Sequence, residues 1–161
     1  MKKMLLAMIG FLIVNRMFAK NINLLSPTGQ PFELRGCDPA GCGYFGAPRH
    51  GHIHQGLDIK INPGQTIYAP ISGRVRTLYV YPDSREMKGV EISRGRIKVK
   101  IFYLEPFVQN GSYVRAGDII GKAQNVADYY LNPNMTPHLH VEVRIDGHLI
   151  DPEKYFKNWI K

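Results

Sequence analysis

The clearest pattern in the chain is an alternation. From Arg96 to Leu104, the apolar residues Ile97, Val99, Ile101 and Tyr103 take every second position, and Arg96, Lys98, Lys100 and Phe102 fill the others. A period of two sends successive side chains to opposite faces of a β-strand, so this segment predicts a half-buried strand with Tyr103 continuing its apolar stripe. Shorter apolar runs recur on both sides of it, each closed by a turn signal. Leu57 to Ile61 stops at Asn62-Pro63-Gly64, Thr66 to Ala69 at Pro70, and Arg74 to Tyr81 at Pro82-Asp83-Ser84. Val90 to Ser93, Ile119-Ile120 between Gly117 and Gly121, and Leu139 to Ile145 complete the set. Proline ends strands because it lacks an amide donor, and glycine because it has no side chain to pack. Residues 20–55 are dense in both and predict a loop region. Helical periodicity is nearly absent, apart from one predicted turn at Pro152 to Trp159. Many short strands at regular spacing predict a mostly β antiparallel domain: a sheet, sandwich or barrel. At 161 residues one domain is expected.

The N-terminus follows a different rule. Lys2 and Lys3 precede an apolar run from Met4 to Val14, and Ala19 offers a small residue beyond it. Basic head, apolar middle and small residue are the order of a secretory signal peptide over residues 1–19. The run is too short for a membrane span, which needs about 20 residues. The expected organisation is a signal peptide at 1–19, a loop region at 20–49 and a β domain at 50–161, with the product extracellular (periplasmic in a bacterium). Loss of residues 1–19 removes Lys2, Lys3 and Arg16 and no acid, which lowers the net charge from +8 to +5. The remaining surplus attracts anionic surfaces such as wall polymers or sulfated glycans, and it also simply favours solubility. Basic and aromatic residues are not interleaved as nucleic-acid binding would require. The two cysteines, Cys37 and Cys42, lie in Gly36-Cys-Asp-Pro-Ala-Gly-Cys-Gly43. An even count in an exported chain predicts a disulfide. The rival is a metal-binding pair, which would need a second pair of ligands nearby.

Four residues carry candidate chemistry: His54, Asp58, His138 and His140. In Pro137-His138-Leu139-His140-Val141-Glu142-Val143 the two histidines share one strand face, while Leu139, Val141 and Val143 face the core. One imidazole can then bind a metal while the other stands beside it. His54 and Asp58 are four apart, a helical spacing, but Gly56 lies between them and Asn62-Pro63-Gly64 follows. In an extended strand they would be roughly 13 Å apart, too far to share an ion. A shared ion therefore requires the chain to bend, and Gly56 permits the bend. Two imidazoles and a carboxylate leave the fourth position of a tetrahedral zinc open, the pattern of a catalytic site. Ordinary strand histidines and an ordinary turn acid would leave the same trace in the sequence.

The motifs also carry a resemblance. His54-x-Gly56-x-Asp58 comes first, followed by Tyr68-Ala69-Pro70 with Gly73-x-Val75. Gly111-x-x-Val114-x-x-Gly117-Asp118-Ile119-Ile120-Gly121 comes next, and then Pro137-His138-Leu139-His140-Val141-Glu142 and Asp151-Pro152. In that order over roughly residues 50–156, the chain resembles the lysostaphin-type (LytM-like, β-lytic) zinc metallopeptidases. The resemblance implies a single antiparallel β-sheet domain, Zn2+ held by His54, Asp58 and His140, and His138 assisting catalysis beside it. It implies substrates among peptidoglycan crosslinks and glycine-rich peptides. One position departs. Active members carry Tyr-x-His-Leu on a central strand, whereas this chain reads Ile101-Phe102-Tyr103-Leu104. A phenol at Tyr103 can donate a hydrogen bond to an oxyanion, but its ordinary pKa of about 10 rules out a neutral-pH base. Tyr103 and the Cys37–Cys42 pair also resemble the secreted chemotaxin-like animal branch of this fold. That branch keeps the zinc ligands and acts through cell-surface receptors. Two expectations therefore stand: extracellular binding or signalling with weak or absent peptidase activity, or zinc endopeptidase activity. His50 and His52 lie just before His54 and are candidates for an extra metal or for a polar loop at the site mouth. Asn110-Gly111-Ser112 and Asn134-Met135-Thr136 fit the N-glycosylation pattern.

Overall fold

The computed structural model describes residues 22–49 and 51–157. The signal-peptide reading of residues 1–19, His50 and Trp159 lie outside the described residues. Sixteen strands run through this part. They are β1 (Leu24–Leu25), β2 (Cys37–Asp38), β3 (Gly41–Cys42), β4 (Pro48–Arg49), β5 (His52–Ile53), β6 (Leu57–Lys60), β7 (Thr66–Tyr68) and β8 (Gly73–Tyr81). Then follow β9 (Ser84–Arg94), β10 (Ile97–Phe102), β11 (Leu104–Pro106), β12 (Tyr113–Val114), β13 (Ile119–Ala123), β14 (His138–Ile145), β15 (His148–Ile150) and β16 (Phe156–Lys157). A helix at Val126–Tyr129 and a 3-10 turn at Pro152–Tyr155 are the helical segments described. None of the described helices is long and apolar enough to cross a membrane.

The main sheet has seven strands in the order β12-β8-β9-β10-β14-β15, and β6 shares the outer edge of β14 with β15. Every pairing in it is antiparallel. One face is apolar: Val90, Ile92, Val99, Ile101, Leu139, Val141 and Val143 are all fully buried. Against that face packs a three-stranded sheet, β11-β13-β7, which contributes Ile67, Leu104 and Ile120 to the same core. The opposite face is polar because the alternation demands it. Register sets Phe102 opposite His140, and His140 opposite Asp58. The expected antiparallel β domain is therefore present, with one small parallel pair where β1 meets β16.

Three local expectations are corrected. The strand read from Arg96 to Leu104 breaks at Tyr103, whose φ of 68° is left-handed. β10 ends before it and β11 begins after it in the second sheet, so Tyr103 is the corner between sheets and leaves the apolar stripe. The strand read as Val90 to Ser93 extends back to Ser84, forming a long hairpin with β8 in which Tyr81 faces Ser84. Its outer half carries Arg85, Glu86 and Lys88, which hid it from an apolar pattern. The loop region contains two short hairpins, β2-β3 and β4-β5. Cys37 and Cys42 stand directly opposite each other in the first and form a disulfide.

Candidate metal site

Three segments deliver the site. His54 follows β5, Asp58 sits within β6, and His140 sits within β14 opposite Asp58. Between His54 and Asp58 the chain bends at Gly56. A Cβ there would lie 2.5 Å from the Val141 carbonyl oxygen and 2.7 Å from Cε1 and Nε2 of His140. Real Cβ atoms do not approach so closely, so the His140 ring occupies space that only glycine leaves open.

The three side chains close a triangle. His54 Nε2 lies 3.0 Å from Asp58 Oδ1 and 2.9 Å from His140 Nδ1, and His140 Nδ1 lies 2.9 Å from Asp58 Oδ1. His54 Nδ1 donates to the Tyr44 carbonyl at 2.8 Å, which leaves the Nε2 lone pair facing the triangle. Such a cluster of lone pairs needs a cation at its centre. A proton can serve: burial alone would lower the His140 pKa, but its bonds to Asp58 and Glu142 raise it above the ordinary value. Burial pulls the Asp58 carboxyl upward, yet the hydrogen bond from His140 and the positive charge of that ring hold it well below the usual carboxylate range. A metal ion serves better. Two imidazole nitrogens and one carboxylate oxygen, all within 4.8 Å of one another, are a zinc-type donor set with a position to spare. Metal binding must then displace the His140 proton. Zinc affinity is expected to fall by about tenfold per pH unit below the His140 pKa. The check is calorimetry in two buffers of different ionisation enthalpy, which should show proton release on zinc binding that grows as the pH is lowered.

The other residues named from the sequence stand around this centre. His138 donates Nδ1–H to the Thr136 carbonyl at 2.7 Å and is 5% exposed. Its Nε2 stands 3.8 Å from Asp58 Oδ2, and burial lowers its pKa, which keeps the ring neutral. The Tyr103 ring meets the His138 ring edge-on, with centroids 5.5 Å apart. The Tyr103 hydroxyl lies 3.2 Å from that of Tyr81, which in turn bonds Tyr130. Burial pushes the Tyr103 phenol up to about 12. His52 lines the same cleft. Asn110 and Asn134 are both exposed, and the Asn110 amide oxygen accepts from Thr77 N–H at 3.1 Å.

Three contributors escaped the sequence. Phe102 stacks on His140 with ring centroids 5.5 Å apart, a consequence of register alone. Arg35 and Arg49 bring guanidinium groups to 3.5 and 3.6 Å from Asp58 Oδ2. Arg35 arrives there because Leu34 bridges to Ile59 and Arg35 N–H donates to the Asp58 carbonyl, which adds a rung beside β6. The alternation Phe32-Glu33-Leu34-Arg35 was a signal for that rung. These arginines tie the disulfide hairpin to the site, since Arg35 Nη2 donates to the Gly41 carbonyl and Arg49 Nη2 to that of Cys42. Asp38 of the hairpin accepts from Thr136 N–H at 3.0 Å, on the side of the site that holds His138.

A loop–strand His-x-Gly-x-Asp and a strand His-x-His meeting on the polar face of a curled antiparallel sheet define a metallopeptidase-like β domain. The chain belongs to Peptidase family M23, whose profile matches residues 52–152. It is 34% identical over 125 residues to leukocyte cell-derived chemotaxin-2 of Bos taurus, covering 76% of this chain and 79% of that one. Among solved structures it is similar to the catalytic domain of lysostaphin from Staphylococcus simulans. There the identity is 25%, the TM-score 0.55, and the coverage 71% of this chain and 89% of that one. It also shares the fold of a zinc containing peptidase from Vibrio cholerae, at 22% identity and a TM-score of 0.53 over 76% of this chain and 39% of that one.

Proposed function

We propose that this chain is a secreted zinc-binding protein whose M23 fold serves extracellular, chemotaxin-like recognition, with weak or absent peptidase activity. The observation that carries the reading is Tyr103. At the corner where the resembled active enzymes place a histidine, this chain has a phenol whose hydroxyl pairs with Tyr81 and whose pKa lies near 12. No proton leaves it at neutral pH. The likeness to chemotaxin-2 and the basic composition support a cell-surface receptor as partner, with anionic glycans concentrating the protein nearby.

His138 favours a second reading, a zinc endopeptidase acting on peptidoglycan crosslinks or glycine-rich peptides. Its Nδ1 proton is fixed by Thr136, so its bare Nε2 is left facing Asp58 and is placed to take a proton from an attacking water and pass that proton to a leaving amine. When bound, zinc would supply Lewis acidity and a water of lowered pKa. His54, Asp58 and His140 would hold the ion, and Phe102 would limit the tilt of the His140 ring. Hydrolysis of purified peptidoglycan and of pentaglycine by the zinc-loaded protein, with His138→Ala as control, separates the two readings. Cleavage that the control abolishes would overturn the first; silence from folded, zinc-replete protein supports it. Both readings require the metal. Asp58→Ala is expected to lose zinc from the purified protein, and unchanged zinc content by atomic absorption would sink the site assignment.

A further inference from the structure

The cleft over the metal site holds about 350 Å³. Its charge is unbalanced. Arg35 and Arg49 line it, and Asp58 is the only carboxylate among its described lining residues. Asp58 is already divided: Oδ1 belongs to the histidine triangle, and Oδ2 is shared between both guanidinium groups. Arg35 is 3% exposed and has a second acid nearby, Asp38, at 3.7 Å. Its Nε has no hydrogen-bond partner, so even this arginine is only partly satisfied.

Arg49 has less. Its Nη2 donates to the Cys42 carbonyl at 2.7 Å and its Nη1 to the Pro48 carbonyl at 3.3 Å. Both acceptors are neutral, and Asp58 at 3.6 Å is beyond hydrogen-bond reach. A guanidinium carries five N–H donors, so the described contacts leave several unused at the cleft wall. A divalent ion on the triangle would raise the positive surplus further. We propose that the ligand of this cleft presents a carboxylate, the free C-terminus of a peptide, and that Arg49 receives it beside the metal. A planar fork of N–H donors suits a planar carboxylate, and the bond between them is charge-assisted. An internal peptide bond brings no charge to offset Arg49. The inference rests on the reading of this cleft as the functional site, and it assigns the class of ligand.

The test is calorimetric titration of the zinc-loaded protein with acetyl-triglycine as the free acid and as its C-terminal amide. The acid is expected to bind at least tenfold more tightly. Arg49→Gln, compared at equal measured zinc occupancy, is expected to erase the difference, and Arg49→Lys to restore part of it. Equal affinity for acid and amide, binding of neither, or a preference that survives Arg49→Gln would each overturn the proposal. Tighter binding of inorganic phosphate than of the acid would overturn the carboxylate assignment. If an Arg49 variant fails to fold, the native protein stripped of zinc decides the matter: a preference for the acid that persists there belongs to the arginine wall, and one that vanishes belongs to the ion and overturns the proposal. Zinc content, measured separately, reports on the metal reading: protein that holds no zinc but still prefers the acid would keep this inference and refute that one.

Discussion

Exchange of Tyr103 for histidine is expected to raise the hydrolysis of pentaglycine by the zinc-loaded protein about 10²-fold or more. The position borders His138, because the Tyr103 ring meets the His138 ring edge-on at 5.5 Å. The side chain is wrong for acid–base chemistry. A phenol held near 12 exchanges no proton at pH 7, whereas an imidazole with an ordinary pKa of about 6.5 does. Backbone strain should not block the exchange. The left-handed φ of 68° at residue 103 suits histidine better than most bulky residues. The measurement is kcat/KM from pH 5 to 9 for the native chain and for Tyr103→His. A new limb near pH 6 to 7, present only in the variant, would identify the imidazole as the added acid–base group. A variant that folds, binds zinc and stays as slow as the native chain would move the block elsewhere, with the cation-lined wall at Arg49 the next candidate.

Gly56→Ala is expected to damage fold and site together. The new methyl would lie 2.5 Å from the Val141 carbonyl oxygen, which belongs to a central strand, and 2.7 Å from the His140 ring. The carbonyl cannot retreat without disturbing the pairing of β14 with β6 and β10. The ring can retreat only by leaving the triangle. Overpacking of this kind typically costs about 1–3 kcal/mol. Displacing one ligand should weaken zinc binding by about 10- to 100-fold, as loss of a ligand's support does. Thermal unfolding with and without zinc reads both effects, and the gap between the two melting temperatures should shrink in the variant. Gly36→Ala is the matched control. A Cβ there meets nothing within 4 Å and the residue has no positive φ, so its melting temperature should stay close to that of the native chain.

The legible parts of this molecule were those written in alternation. The His138–His140 pair could be read because Leu139, Val141 and Val143 fill the core positions between and beyond them. The bend at Gly56 followed from the distance an extended chain would have put between His54 and Asp58. Tyr103 shows where such reasoning stops. Ile97, Val99, Ile101 and Tyr103 keep a perfect period of two, and nothing in the residue types announces a left-handed corner. The break is imposed by the next residue, Leu104, which is fully buried in the core as part of the second sheet. Arg35 and Arg49 were hidden for another reason. Arg49 stands in a two-residue strand too short to show a period, and the brief alternation Phe32-Glu33-Leu34-Arg35 was masked by the proline and glycine around it. Phe102 became visible only once register placed it across from His140.

The Cys37–Cys42 hairpin contributes no metal ligand, yet it braces the site from two directions. Through Arg35 and Arg49 it reaches Asp58, and through Asp38 it reaches Thr136, whose carbonyl orients His138. The metal site thus leans on a covalent step made in a hairpin that supplies no ligand. A chain whose thiols are still reduced has the same histidines and aspartate, but the wall around them is held by hydrogen bonds and ion pairs alone. Reduction of the Cys37–Cys42 bond is therefore expected to shorten the retention of a bound ion, read as faster loss to a chelator. Compartments that differ in thiol chemistry would hold two forms of one sequence that differ in how long they keep their ion.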